Sequence, residues 1–178
     1  MFMIPNYVNV RSIHDTIVND LTYIDVYDKC TAKMLAALMK NKTCSIYLNW
    51  FHDLRFEKPC ETQLNDNYIK EFVENFPDVQ FLSTRTNLNN SIHVPPNSDA
   101  ATLLNYMKLS KYTITTCSVI AHMAASAGCK VLLLLEKNHE WIWNNPYWYP
   151  NVVIFKQRFL HDWFHVFNDL TTYLNLNT

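Results

Sequence analysis

The most informative scarcity in this chain is glycine, of which there is one among 178 residues. Phosphate-binding loops normally use several glycines to let backbone approach the ligand, and the chain has neither a GxGxxG fingerprint nor a P-loop. The five cysteines, at 30, 44, 60, 117 and 129, include no CxxC pair and no metal-ligand spacing. Their odd count cannot be closed by internal disulfides alone, so a reducing, cytoplasmic setting is expected. Charge of one sign is also lacking. Fifteen Lys and Arg stand against sixteen Asp and Glu, a net charge of -1 that offers no broad attraction to nucleic acid or anionic lipid. No apolar run approaches the roughly 20 residues that span a bilayer, and the N-terminus lacks the basic and apolar regions of a signal peptide.

What is present is apolar material: 49% hydrophobic and 14% aromatic residues, enough for a substantial core in one domain. The pattern predicts a single α/β domain over 1–178, with a helical lead-in over 1–42, a sheet core over 43–160 and a closing helix over 161–178. Within the lead-in, Val26, Ala32, Leu35, Ala36 and Met39 mark an amphipathic helix over Asp25–Lys40. A strand is expected at Cys44–Asn49. Asn65 or Asp66 caps the next helix, whose buried face is Tyr68, Ile69, Phe72, Val73 and Phe76 before Pro77 stops it. A short strand follows around Val79, Phe81 and Leu82.

Asn87–Ser98, rich in Asn, Ser and Pro and without a sustained period, reads as a surface loop. Asp99 opens a helix through Leu103, Leu104, Tyr106 and Met107. Then come a strand at Tyr112–Thr116, a helix at Ser118–Ala127, and a strand at Lys130–Leu135 whose unbroken apolar run suits burial on both faces. Val152–Lys156 supplies the last strand. Asp162–Leu174 forms the closing helix, with Trp163, Phe164, Phe167 and Leu170 expected inward. This alternation predicts a parallel sheet of five or six strands with helices on both faces, a Rossmann-like arrangement.

In such a sheet ligands bind beyond the carboxyl ends of the strands, where the amides opening the next helix attract anions. The candidate is TTCSVIAHMAASAG, Thr115–Gly128. Thr115, Thr116, Cys117 and Ser118 form the turn, and Ala121, Ala124, Ala125, Ser126 and Ala127 keep the helix slim. Gly128 supplies a left-handed exit. The same pattern also fits ordinary helix–sheet packing in a fold that binds nothing there.

Thr115–Gly128 and the segments after it resemble the C-terminal domain of heptosyltransferase-like glycosyltransferases, particularly the branch fused to tetratricopeptide repeats. That branch runs approximately S-S-C-T-S-I-A-H-A-A-x-A-M-G, then a hydrophobic strand, a Trp-containing stretch with S-P-W-Y, and a strand close to L-F-R-Q. Here the corresponding segments are TTCSVIAHMAASAG, KVLLLL, WIWNNPYWYP (Trp141–Pro150) and VIFKQ (Val153–Gln157). Cys117, Ile120, Ala121, His122, Trp148, Tyr149, Phe155 and Gln157 match outright, Ser118 replaces Thr, and the likeness runs on to Asp162 and Trp163. Over the N-terminal part it extends to topology alone.

The resemblance implies the nucleotide-sugar-binding half of a two-domain (GT-B) glycosyltransferase. The donor's diphosphate would rest on Cys117–Val119, with His122 one helical turn inside and Lys137 near the phosphates. Metal-independent transfer of a hexose or heptose follows, with no resident cofactor. The acceptor half, which would carry the catalytic base, would come from a separate partner or from a second copy in a homodimer. Val119 lacks the hydroxyl the family has there, which removes one hydrogen bond to phosphate. A non-catalytic nucleotide-binding or scaffold module is the alternative.

The expected crevice is lined by Asn49, Thr116, Cys117, Ser118, Val119, His122 and Lys137, with Trp50 and Arg55 at its lip. His122 also fits a satisfied structural role. The aromatic group Trp141, Trp143, Tyr147, Trp148 and Tyr149 suits packing beneath a loop as well as stacking on a base or sugar. His161 and His165 in HDWFH have the i, i+4 spacing of a zinc-binding helix. Asp162 is nevertheless too short for the Glu of HExxH and no third ligand stands out, so no metal is expected.

Overall fold

The computed structural model describes residues 44–50, 64–85, 88–89, 91–95, 98–139, 141–145 and 147–177. The predicted helix over 25–40, Arg55, Cys30 and Cys60 lie outside them. The described residues contain six strands: β1 (Cys44–Asn49), β2 (Val79–Ser83), β3 (Ser91–His93), β4 (Tyr112–Thr116), β5 (Val131–Leu135) and β6 (Val152–Lys156). They also contain helices α1 (Asp66–Glu74), α2 (Ala100–Leu109), α3 (Val119–Ser126) and α4 (Phe164–Asn177), and a 3-10 turn at Trp141–Asn144.

All strands are parallel, in the order β3-β2-β1-β4-β5-β6. This is the order of a Rossmann-like sheet, and its direction of winding reverses between β1 and β4. Alternation along each strand sends side chains to two cores. Ile46, Leu48, Phe81, Ile114, Leu132 and Leu134 meet Ile69, Phe72 and Val73 of α1 and Phe167, Leu170 and Leu174 of α4. Tyr47, Leu82, Val131, Leu133 and Leu135 meet Leu104 and Met107 of α2, Ala121, Ala124 and Ala125 of α3, and Trp143. β1, β2, β4 and β5 are buried along their whole length, as strands covered on both faces should be.

Caps set the helix starts. The Asn65 side chain accepts the Asn67 amide at 3.0 Å, which resolves the choice between Asn65 and Asp66 in favour of Asn65. Asp99 accepts the Thr102 amide at 2.7 Å. That bond holds the Asp99 carboxyl below the ordinary aspartate range. Gly128, at φ 78°, makes the left-handed exit expected of it. The alanines of α3 earn their place by size, since Ala121 and Ala124 are fully buried against β4 and β5.

Three expectations are corrected. Asn87–Ser98 is not a plain loop: Ser91–His93 extends the sheet by pairing with Phe81–Ser83. Phe164 is 58% exposed, because α4 begins at this residue and its inward stripe is Val166, Phe167, Leu170 and Leu174. His161 and His165 do not share a helical face, since His161 lies before the helix with φ 63°. His165 Nε2 instead sits 3.5 Å from Asp162 Oδ2.

Candidate functional site

The reversal lies between β1 and β4, and the carboxyl ends of two such adjacent strands are the position where open α/β sheets bind ligands. β1 ends there in Asn49, paired in register with Thr115 of β4. Asn49 Nδ2 donates to Thr115 Oγ1 at 3.5 Å, and Thr115 Oγ1 donates to the Thr116 carbonyl at 3.1 Å. Thr115 Oγ1 also lies 3.1 Å from Ser118 Oγ. With the Thr115 proton committed to the carbonyl, Ser118 is the donor in that pair. Ser118 occupies the N-cap of α3 with extended backbone, yet its hydroxyl makes no cap bond to the helix. The first turn of α3 therefore has no side-chain cap, and Val119 within it is 56% exposed.

His122 lies in an aromatic layer on the flank of α3. Its Nδ1 is 3.2 Å from Tyr149 Oη, and its ring stacks on Trp143 at 4.6 Å between centroids. Trp143 Nε1 in turn donates to Cys117 Sγ at 3.1 Å. His122 thus has a structural role, and three of the five aromatics take part in packing: Trp143 is buried, and Trp148 and Tyr149 are half-buried. Trp141 and Tyr147, by contrast, are 71% and 90% exposed.

Thr116 and Gln157 stand apart from these networks. Thr116 ends β4 on the α1/α4 side, where its buried Oγ1 has no hydrogen-bond partner. Gln157, just past β6, accepts the Lys137 amide through Oε1 at 3.2 Å, while its buried Nε2 has none. Lys137 itself is exposed, with Nζ 5.8 Å from the Phe159 ring centroid.

The structure thus links Asn49 and Ser118 through Thr115, with Cys117 and Val119 beside Ser118 in the chain and Thr116 on the other face of the sheet. His122 is connected to Cys117 through Trp143. Lys137 follows β5, one strand further out.

A second cluster, at the carboxyl ends of β1 and β2, was not read from the sequence. Trp50 Nε1 donates to Asp66 Oδ1 at 2.9 Å, and Arg85 Nη1 reaches Asp66 Oδ2 at 2.9 Å and Oδ1 at 3.2 Å. The Arg85 guanidinium also lies over the Trp50 ring at 5.5 Å. Lys70 and Leu88 complete a cleft of about 10 Å³, room for one water. The members come from three separate segments, and only Trp50 and Asp66 carried any sequence signal, as a lip residue and as a cap.

Among the described residues no helix is long and apolar enough to cross a membrane, and no three His, Cys, Asp or Glu side chains converge as metal ligands. No family model matches the chain, and no curated protein matches it in sequence.

Proposed function

We propose that this chain binds a nucleoside-diphosphate sugar at the carboxyl end of its sheet, as the donor-holding half of a glycosyl-transferring assembly. The observation that carries this reading is the first turn of α3, which opens without a side-chain cap at the point where the sheet reverses its winding. The resemblance of Thr115–Gln157 to heptosyltransferase-like glycosyltransferases supports the same location. The ligand's diphosphate contacts backbone amides of Cys117–Val119 rather than the Ser118 hydroxyl, whose proton is engaged by Thr115. Helix-end amides would then stabilise charge on the departing diphosphate as a hexose or heptose is transferred. The acceptor and its base come from a second protein surface, either a separate partner or another copy of this chain.

One observation favours a second reading, a nucleotide-binding or scaffold module without transfer. His122 is engaged by Tyr149 and Trp143, so it is held in the aromatic layer rather than free to serve at the turn.

Thermal shift and calorimetry with UDP, GDP, ADP and their sugar conjugates test the proposal, because a ligand that binds only the folded state raises its apparent stability. Saturable binding that is lost in Ser118→Trp is the expected result. Failure of every nucleotide to bind at millimolar concentration would remove the proposal and leave a scaffold.

A further inference from the structure

Two polar groups at the carboxyl end of the sheet are buried without a partner, and they lie on the same side. Alternation puts Thr116 in line with Ile114, and Gln157 in line with Phe155, both of which face α1 and α4. Register places Thr116 beside Leu134, and Leu134 beside Phe155, two residues before Gln157. The two Cα atoms are therefore separated by two strand spacings and one two-residue step, about 12 Å. Glu136, just past β5 and on the same side by alternation, lies between them.

Gln157 is the sharper of the two. Its Oε1 is held by the Lys137 amide, which fixes the side-chain amide and leaves Nε2 a donor with a set position and no acceptor. A buried unpaired donor is costly, and an acceptor supplied by a ligand relieves the cost. Phe159, 64% exposed and under the Lys137 ammonium, adds an aromatic surface at the same rim. Planar polar side chains beside an exposed ring are the chemistry that recognises a polyhydroxylated ring.

We propose that Thr116 and Gln157 hydrogen-bond the glycosyl ring of the donor, on the α1/α4 side of the crevice, while the diphosphate lies on the α3 side. This rests on the nucleotide-sugar reading and adds to it a residue pair that recognises the sugar. Both atoms are buried, so a ligand reaches them only by displacing the side chains that cover them, with the Lys137 amide still holding Oε1.

Thr113 is the internal control. Its Oγ1 is also buried and unpartnered, but it sits mid-strand on the opposite face of the sheet, away from the carboxyl end.

The test is calorimetric titration of the full chain with UDP, GDP and ADP and with UDP-glucose, GDP-mannose and ADP-glucose. Wild type is compared with Gln157→Leu, Gln157→Glu, Thr116→Val and Thr113→Val, each first checked for a cooperative thermal transition. Val removes the unpaired hydroxyl of Thr116 or Thr113 at near-constant shape, and Gln157→Glu removes the Nε2 donor while keeping an oxygen for the Lys137 amide, whereas Gln157→Leu removes both ends of the side-chain amide. The expected result is a five- to tenfold weakening of the sugar conjugate in the Gln157 and Thr116 variants, with the bare diphosphate changed by less than twofold and Thr113→Val inert. Equal weakening of conjugate and diphosphate, or no weakening of either, overturns this inference while leaving nucleotide binding in place. Absence of binding to any of the six compounds in wild type overturns the proposed function, and the inference falls with it.

Discussion

The two halves of the sheet finish differently at their carboxyl ends. Beyond β1 and β2, Trp50, Asp66 and Arg85 satisfy one another through an indole hydrogen bond, an ion pair and a cation–π contact, leaving room for one water. Beyond β4, β5 and β6 the polar groups are less complete: a helix without a side-chain cap, an unpartnered Thr116 hydroxyl, and a Gln157 amide held at one end only. The same architecture thus closes one half with its own side chains and leaves hydrogen-bonding capacity in the other. Completed networks are structure, and capacity left over is where a ligand is to be sought.

Trp50→Ala probes the closed half and carries the largest expected effect. Trp50 is 6% exposed and packs in the core under α1 and α4, so truncation should cost about 3–5 kcal/mol in urea unfolding. A loss below about 1 kcal/mol would mean that the closed half is not structural.

Ser118 sharpens the other half. Ser118→Trp places an indole at the turn and should weaken nucleotide binding more than tenfold, about 1.4 kcal/mol, by calorimetry. Ser118→Ala removes only a hydroxyl that already bonds Thr115, and should change affinity by less than threefold. Equal losses in both variants would show that the hydroxyl, not the backbone, holds the ligand.

Arg85→Met removes an ion pair whose side chains are 38% and 43% exposed, so solvent screening limits its contribution to about 0.5 kcal/mol. Nucleotide affinity should not change. A drop in affinity would extend the ligand site across the whole carboxyl end and end the distinction between the halves.

The smallest effect is a pH dependence in α2, the helix next to α3. Asp99 has a carboxyl held low by the Thr102 amide, so its capping contribution is present above the ordinary aspartate pKa and is lost as pH falls through the lowered one. Asp99→Asn keeps an acceptor oxygen and should flatten the acid side of the melting temperature–pH profile. An unchanged acid limb would assign it to other carboxylates.

Legibility in the sequence followed how local each signal was. β1, β4 and β6 have the bounds read from their β-branched and apolar runs, and Asp99 announced its helix because a short acceptor side chain stands just before an apolar period. β3 was missed because Ser91–His93 contains one apolar residue amid Asn and Pro, and is a strand only through its pairing with β2. Phe164 was misplaced because the helix it opens has no preceding turn to direct it inward.

Near the turn after β4, the closeness of Asn49 was legible because parallel strands all end at one edge of the sheet, whereas its pairing with Thr115 came only from the strand order. The Trp50–Asp66–Arg85 cluster was not legible, since Asp66 is 16 residues from Trp50 and 19 from Arg85 and no spacing rule joins them. The free end of Gln157 was equally invisible. It depends on the Lys137 amide taking Oε1, a contact set by the pairing of β5 with β6.

The most direct test is an NMR titration of the 15N-labelled chain with UDP, GDP and ADP, following backbone amides at both carboxyl-end regions. The account predicts saturable shifts, largest at Cys117, Ser118 and Val119, with Trp50 and Arg85 nearly unmoved. Shifts centred on Trp50 and Arg85, or none up to millimolar ligand, would contradict it.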